Sequence, residues 1–576
     1  MTTSRIKNVL VCVLALAAFA AHAVQKVYIN EDTALSASAV QADYSYVVSN
    51  GVTLTLNIDS DVQCSALRGD GKVIKNGSGI LTLSNDNNGA VIYENPTIVI
   101  AEGSICVSTS PNGKRPFFQA ATFILGENSA DIPLYNSSER VEFEKVVTIS
   151  NEFSRTVFSS NSYIYKGKFK KGGEGALCVR SKVNDDTSID VQGGELLLEV
   201  AEGQGYTYNG TLTAQGRFGK SGAGVLTLTL NRAQNFYDGI DVVDGELVLS
   251  NDYRNVVAGV YGAGTLVNAS TSTLYLVCHY GSSASADYSN TYAVDGGTVK
   301  TTSGDISLGK DPDRGFARNA TFVLDGGTLT GYGWPRFYGT NVFDVTTDAT
   351  IYKNTDKGLR FCGNSTVGCT ILKKGAATLT FDIDIGDVEA PGKTALAIEE
   401  GRVCYRKRDS FKHAIRCNSI TGAGDFYVAD FPVGIECSGL HISNLTLSDS
   451  ASFQGTYKDD ITITGRFCPS GALADLSQTF TFADGATIDV SALEPCGGTF
   501  GGDEVFFNSV TAGATVTVDV GDRDDFKSGD YLCRLGAKPT MNLAFSGTNI
   551  ERWKVGGVDD GIKVLASGLG LMLLFR

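Results

Sequence analysis

KSGAGVLTLTLNRAQNFYDGIDVVDGELVLSN, residues 220–251, holds two short runs in which apolar residues alternate with polar ones, VLTLTL and ELVLS, and each is entered through glycine. Alternation with a period of two places one face of a strand on a core and the other in solvent. The glycines mark corners at which the backbone turns sharply with positive φ. The stretch is therefore two strands and their corners, and the rest of the chain repeats it.

An opening half, K-x-G-x-[GA]-x-L-x-apolar, begins at Lys75, Lys171, Lys220 and Lys373. A closing half, apolar-x-apolar-x-x-G-x-apolar, covers 98–105, 189–196, 240–247 and 396–403, with related pieces at 292–299 and 322–329. Self-similarity of this kind is the mark of a solenoid. Helical spacing is almost absent beyond residue 23. These features predict an all-β chain folded as a right-handed parallel β-helix with irregular inserts and a C-terminal β cap. A row of β-sandwiches would also give short strands, but not a recurring Lys-x-Gly entry. With coils of about 24 residues and strands about 4.8 Å apart, the expected rod is roughly 110 Å long.

Residues 1–23 read as a signal peptide: Arg5 and Lys7, an apolar stretch from Val9 to Ala21, then Ala21-His22-Ala23, with cleavage expected before Val24. The apolar stretch is too short for a stable membrane span. The β-helix is expected over 24–480, and terminal coils with a cap over 481–576. Val564 to Leu574 is either a hydrophobic tail or a last strand packed on the final coil, the second being the expected one.

Export removes two basic residues and no acidic one, so the mature chain is more acidic than the formal charge of -15 for the whole sequence. Nucleic acid is not an expected partner, since neutralising phosphates needs a basic surface. The thirteen cysteines form no CxxC pair. Beyond residue 23 the histidines are His279, His413 and His441, so neither structural zinc nor any other cofactor is expected. An oxidising destination permits disulfides, without choosing among them.

The two halves resemble the autotransporter-associated β-strand repeat of secreted passenger domains in Gram-negative bacteria. That resemblance implies export to the cell surface, or release from it, and roles in adhesion, autoaggregation or display. Such proteins end in a translocator barrel, and no stretch of this sequence corresponds to one.

The segment GRVCYRKRDSFKHAIRC, 401–417, gathers Arg402, Arg406, Lys407, Arg408 and Lys412 beside Tyr405 and Phe411. Its guanidinium groups suit an acidic glycan or a lipid phosphate, whereas the plainer reading is a solvated coil face. Cys404 and Cys417 flank the segment and would close it as a loop if paired. Arg68-Gly69-Asp70 matches an integrin-ligand triplet, or else a corner before Lys75. SNDNNG, 84–89, reads as a turn rather than a calcium loop. The doublets Asp185-Asp186, Asp459-Asp460, Asp524-Asp525 and Asp559-Asp560 point to opposite faces or lie in turns. Cys106, Cys178 and Cys404 sit opposite the apolar ladder, which would leave them accessible.

The expected protein is thus an exported, adhesin-like or structural β-helix without catalytic activity, contacting glycans or neighbouring cells through inserts such as 101–161 and 409–439. The rival is a secreted polysaccharide lyase or glycoside hydrolase, which would need outward carboxylates and Arg or Lys to converge across adjacent coils.

Overall fold

The computed structural model describes residues 24–567 outside a set of breaks. The longer breaks are 85–93, 109–116, 277–293, 309–315, 353–367, 386–392, 407–413, 455–460, 469–478, 492–507 and 535–541, with shorter ones elsewhere. The described residues are strands and turns, with two 3-10 turns at Ala37–Ala39 and Ile550–Arg552. Strands pair in parallel with those one coil later, so the fold is a parallel β-solenoid.

The chain divides into two compact units, Met1–Asn251 and Asp252–Arg576. In the first, one inward column passes through Leu54, Val73, Ile98 and Phe123 and another through Val147, Phe169, Ile189 and Leu212, each residue the register partner of the next in its column. All eight are at most 1% exposed. In the second, Leu274, Ile306, Leu329, Ile351, Phe381 and Tyr405 form such a column. Each full burial of a side chain of this size contributes about 1.5–3 kcal/mol. Phe322 stacks on Phe343 with the ring centres 5.4 Å apart. The pairs Phe218–Ile240 and Val73–Ile98 show how closely coil length follows the repeat in the sequence.

Two segments expected to be inserts belong to coils. Glu94–Val107 and Ala120–Asn136 pair over most of their length, and Ala414–Cys417 pairs with Pro432–Cys437. These strands keep the alternation but lack the Lys-x-Gly entry that announces a coil, and alternation alone suffices to fill the column. Near the C-terminus the pairing changes sign. Tyr531–Arg534, Gly561–Ser567 and Trp553–Val558 form an antiparallel sheet. A sheet of that kind ends a parallel stack, because its strands satisfy one another.

Candidate functional site

The repeat lysines point inward. Lys75 is the register neighbour of Leu56 and Ile100, Lys171 of Ile149 and Val191, Lys220 of Leu198 and Val242, and Lys373 of Phe343 and Ile398. All four are fully buried. Their stems lie in the apolar columns while the ammonium groups reach the corners. Each Nζ donates to the carbonyl of the glycine two positions on: Gly77, Gly173 at 2.7 Å, Gly222, and Gly375 at 2.5 Å. Each also donates one coil ahead, to the carbonyl just before the glycine of the closing half. These acceptors are Glu102 at 2.9 Å, Gly193 at 3.2 Å, Asp244 at 2.8 Å and Glu400 at 3.1 Å.

One side chain thus ties two successive corners, and the spacing of the motif is the reach of a lysine. Burial pulls the pKa of Lys75, Lys171 and Lys373 down to about 8, against the pull of neighbouring carboxylates such as Glu102, Glu152 and Glu400. Where the lysine is missing, buried asparagine takes over a corner. Asn151 Nδ2 donates to Phe153 O at 2.5 Å and to Ala176 O at 2.8 Å. Asn341 Nδ2 donates to Tyr338 O at 3.0 Å.

On the outer faces, charges pair from coil to coil. Lys168 meets Asp190 at 2.6 Å, and Arg466 Nε donates to Asp489 at 2.9 Å. Of the basic segment, Arg402 Nε donates to Asp425 at 2.6 Å and its guanidinium lies 5.2 Å from the Tyr427 ring. Arg406 holds Asp382, whose side chain is 2% exposed, through two hydrogen bonds of 3.2 and 3.3 Å. These two arginines sit on a coil face and tie coils together. Lys407, Arg408 and Lys412 lie outside the described residues.

The other sequence candidates fall out differently. Arg68 is buried, and a Cβ at Gly69 (φ +90°) would stand 2.2 Å from Val48 O, which makes the triplet a packed corner rather than a displayed loop. Asp185 accepts from the Asn209 amide at 2.7 Å and from its Nδ2 at 2.9 Å, tying a turn to the next coil. Asp525 pairs with Arg523 at 2.7 Å. Asp459-Asp460, Asp559-Asp560 and residues 85–89 lie outside the described residues. Among the described residues no three His, Cys, Asp or Glu gather as metal ligands.

Cys178 and Cys404 are half-buried, and burial pushes their thiols up to about 11. Cys106 points away from the column yet is buried, because Tyr135 of the next coil is its register partner. The strand register sets Cys417 beside Cys437 rather than Cys404.

Sequence reasoning missed the concavity of the first unit, about 410 Å³, built from three successive stretches. Ser162 and Tyr163 come from the first, Arg180 and Lys182 from the second, and Glu199 to Gln204 from the third. Tyr163 and Lys182 are register partners, and Arg140 precedes Tyr163 in the same outward column. Arg140 Cζ lies 3.6 Å from the centre of the Tyr165 ring, and Lys182 Nζ is 5.8 Å from the rings of both Tyr163 and Tyr206. Arg180 Nε donates to Glu199 at 3.2 Å. Single tyrosines and lysines on polar faces carry no signal in the sequence, so only the register could assemble them.

Comparison of the chain with protein-family models, with curated proteins and with solved structures gives no match.

Proposed function

We propose that this is an exported, non-catalytic β-solenoid with repeats of the autotransporter-associated kind, acting at the cell surface or outside the cell as an adhesin-like or structural display protein. The observation that supports it most is the use of charge on the coil faces. Asp382, Asp425, Asp489 and Asp190 are each engaged by a cation of a neighbouring coil, so these carboxylates serve the scaffold. The leader-like residues 1–23 and the acidic composition support export.

The polysaccharide lyase or hydrolase reading draws on one observation, the meeting of Arg180, Lys182, Glu199 and Glu202 in one concavity. There Glu199 is already held by Arg180 and receives a 3.6 Å contact from the Cys178 thiol.

The test is expression of the full chain in a Gram-negative host, with mass analysis of the N-terminus and protease treatment of intact cells. A mature chain beginning at Val24 that is shaved from the surface or found in the medium supports the proposal; an uncleaved chain in the cytoplasm overturns it. New reducing ends or unsaturated uronate after incubation with polysaccharides would instead establish the enzyme.

A further inference from the structure

The geometry points to the concavity between Tyr163 and Gln204 as a binding site for an uncharged saccharide. The inference rests on the surface-contact reading above and names the ligand class.

Three features carry it. First, Tyr163 is 38% exposed although it lies at a regular strand position, and its ring pairs with that of Tyr165 at 5.9 Å. Lys182 and Arg140 flank the two rings and hold them as a platform. An aromatic face beside a polar wall accepts the C–H face of a sugar ring.

Second, the wall supplies donors and acceptors together. Arg180 and Lys182 donate, Glu199 and Glu202 accept, and Gln204 does both. Adjacent hydroxyls, each donor and acceptor at once, fit such a mixture. A polyanion does not, because the carboxylates of Glu199 and Glu202 stand at the same opening. A lipid chain does not fit either, since the polar groups of Ser162, Arg180, Lys182, Glu199, Glu202 and Gln204 interrupt the apolar part of the lining.

Third, the size and build suit a ligand. A concavity of about 410 Å³ falls within the usual range for small-molecule sites, and its floor is buried. Ser162 and Val200 are nearly inaccessible, and the Ser162 hydroxyl donates to Ser159 O at 2.7 Å. Because the lining residues come from successive coils, a short chain of sugars would run along the stacking direction, contacting one coil after another.

The experiment uses the mature chain, residues 24–576, titrated with immobilised neutral oligosaccharides (gluco-, manno-, galacto- and N-acetylhexosamine series) and with heparin and polygalacturonate as acidic probes. Retention on a neutral series is expected. Tyr163→Ala should weaken it about tenfold, the loss of one stacking contact, and Tyr163→Phe should leave it within about twofold. Gln204→Ala should weaken it as well, while Arg402→Ala should not. Tyr163 and Gln204 are exposed, and circular dichroism of each variant checks that its fold is kept.

Retention that survives Tyr163→Ala, or that favours the acidic probes, overturns the site while leaving export and display intact. No retention on any neutral series overturns it too. Failure of export, read by the N-terminal and shaving assays, would instead remove the functional reading on which it rests.

Discussion

Lys220 and Asp244 are joined across one coil, the Nζ of the first donating to the main-chain carbonyl of the second at 2.8 Å. The same ammonium serves Ser221 and Gly222 on its own coil. Replacing it by Lys220→Met keeps the apolar stem but leaves these carbonyls, at a half-buried corner, without their donor. A buried acceptor left without a donor costs about 1–3 kcal/mol, so the variant should lose about 2–4 kcal/mol. Hydrogen exchange should show the added opening around 220–246 first, because each coil of a solenoid leans mainly on its neighbours. Unchanged protection there would refute the staple.

The closing glycine is required by the same contact. Gly245 has φ +66°, and a Cβ there would stand 2.4 Å from Gly224 O and 2.6 Å from Lys220 Nζ. Gly51 has φ +78° with nothing within 4 Å of such a Cβ. Gly51→Ala should therefore cost only the backbone penalty of about 1–2 kcal/mol, and Gly245→Ala clearly more. Urea midpoints of the two variants make the comparison, and equal losses would show that crowding is unimportant.

Glu195 gives the first unit a pH dependence. Burial first, then a hydrogen bond with Asp241, push its carboxyl from 4.5 up to about 7, against the pull of Arg217 and Lys171. Glu195 Oε1 and Asp241 Oδ1 are both shut off from water. The folded state binds this proton more tightly than the unfolded chain. Its contribution is therefore complete below about pH 4.5 and is lost as pH rises through about 7, a fall of about 2 kcal/mol. Glu195→Gln keeps a donor towards Asp241 at every pH, so thermal melts of the variant should lack that fall. An identical pH profile in variant and parent would place the titration elsewhere.

Arg406 holds a carboxylate that is itself nearly inaccessible, whereas Arg402 and Asp425 are more open. Arg406→Ala should cost about 1–2 kcal/mol, and Arg402→Ala less than about 1 kcal/mol, since exposed pairs are screened by solvent. Adding Asp382→Asn to Arg406→Ala should restore most of the loss. A double-mutant cycle by chemical denaturation measures the coupling, and a value near zero would deny the pair its structural role.

The fold was legible to an unusual depth because both of its determinants are local. VLTLTL at 225–230 needs only a period of two to mark a core face, and Gly222 and Gly245 announce the corners by their identity. Coils without those marks, such as Ala120–Asn136, were hidden because alternation blurred by GENSAD at 126–131 looks like an insert until its partner strand is seen.

The candidate site was far less legible. The basic segment at 401–417 stood out by composition, yet Arg402 and Arg406 are spent on Asp425 and Asp382, twenty-three and twenty-four residues away. Tyr163, Lys182 and Glu199 drew no notice because none is unusual where it stands.

The sequence by itself determined that the chain alternates, turns at glycine and repeats, for these are properties of neighbours along the backbone. Only the tertiary structure decided that Lys75, Lys171, Lys220 and Lys373 turn inward to tie successive corners, and that Tyr163 and Lys182 face the same hollow as Glu199. The physical reason is register. Alternation assigns a side chain to a face, but its companions on that face come from other coils, and the hydrogen-bonded pairing of whole strands selects them.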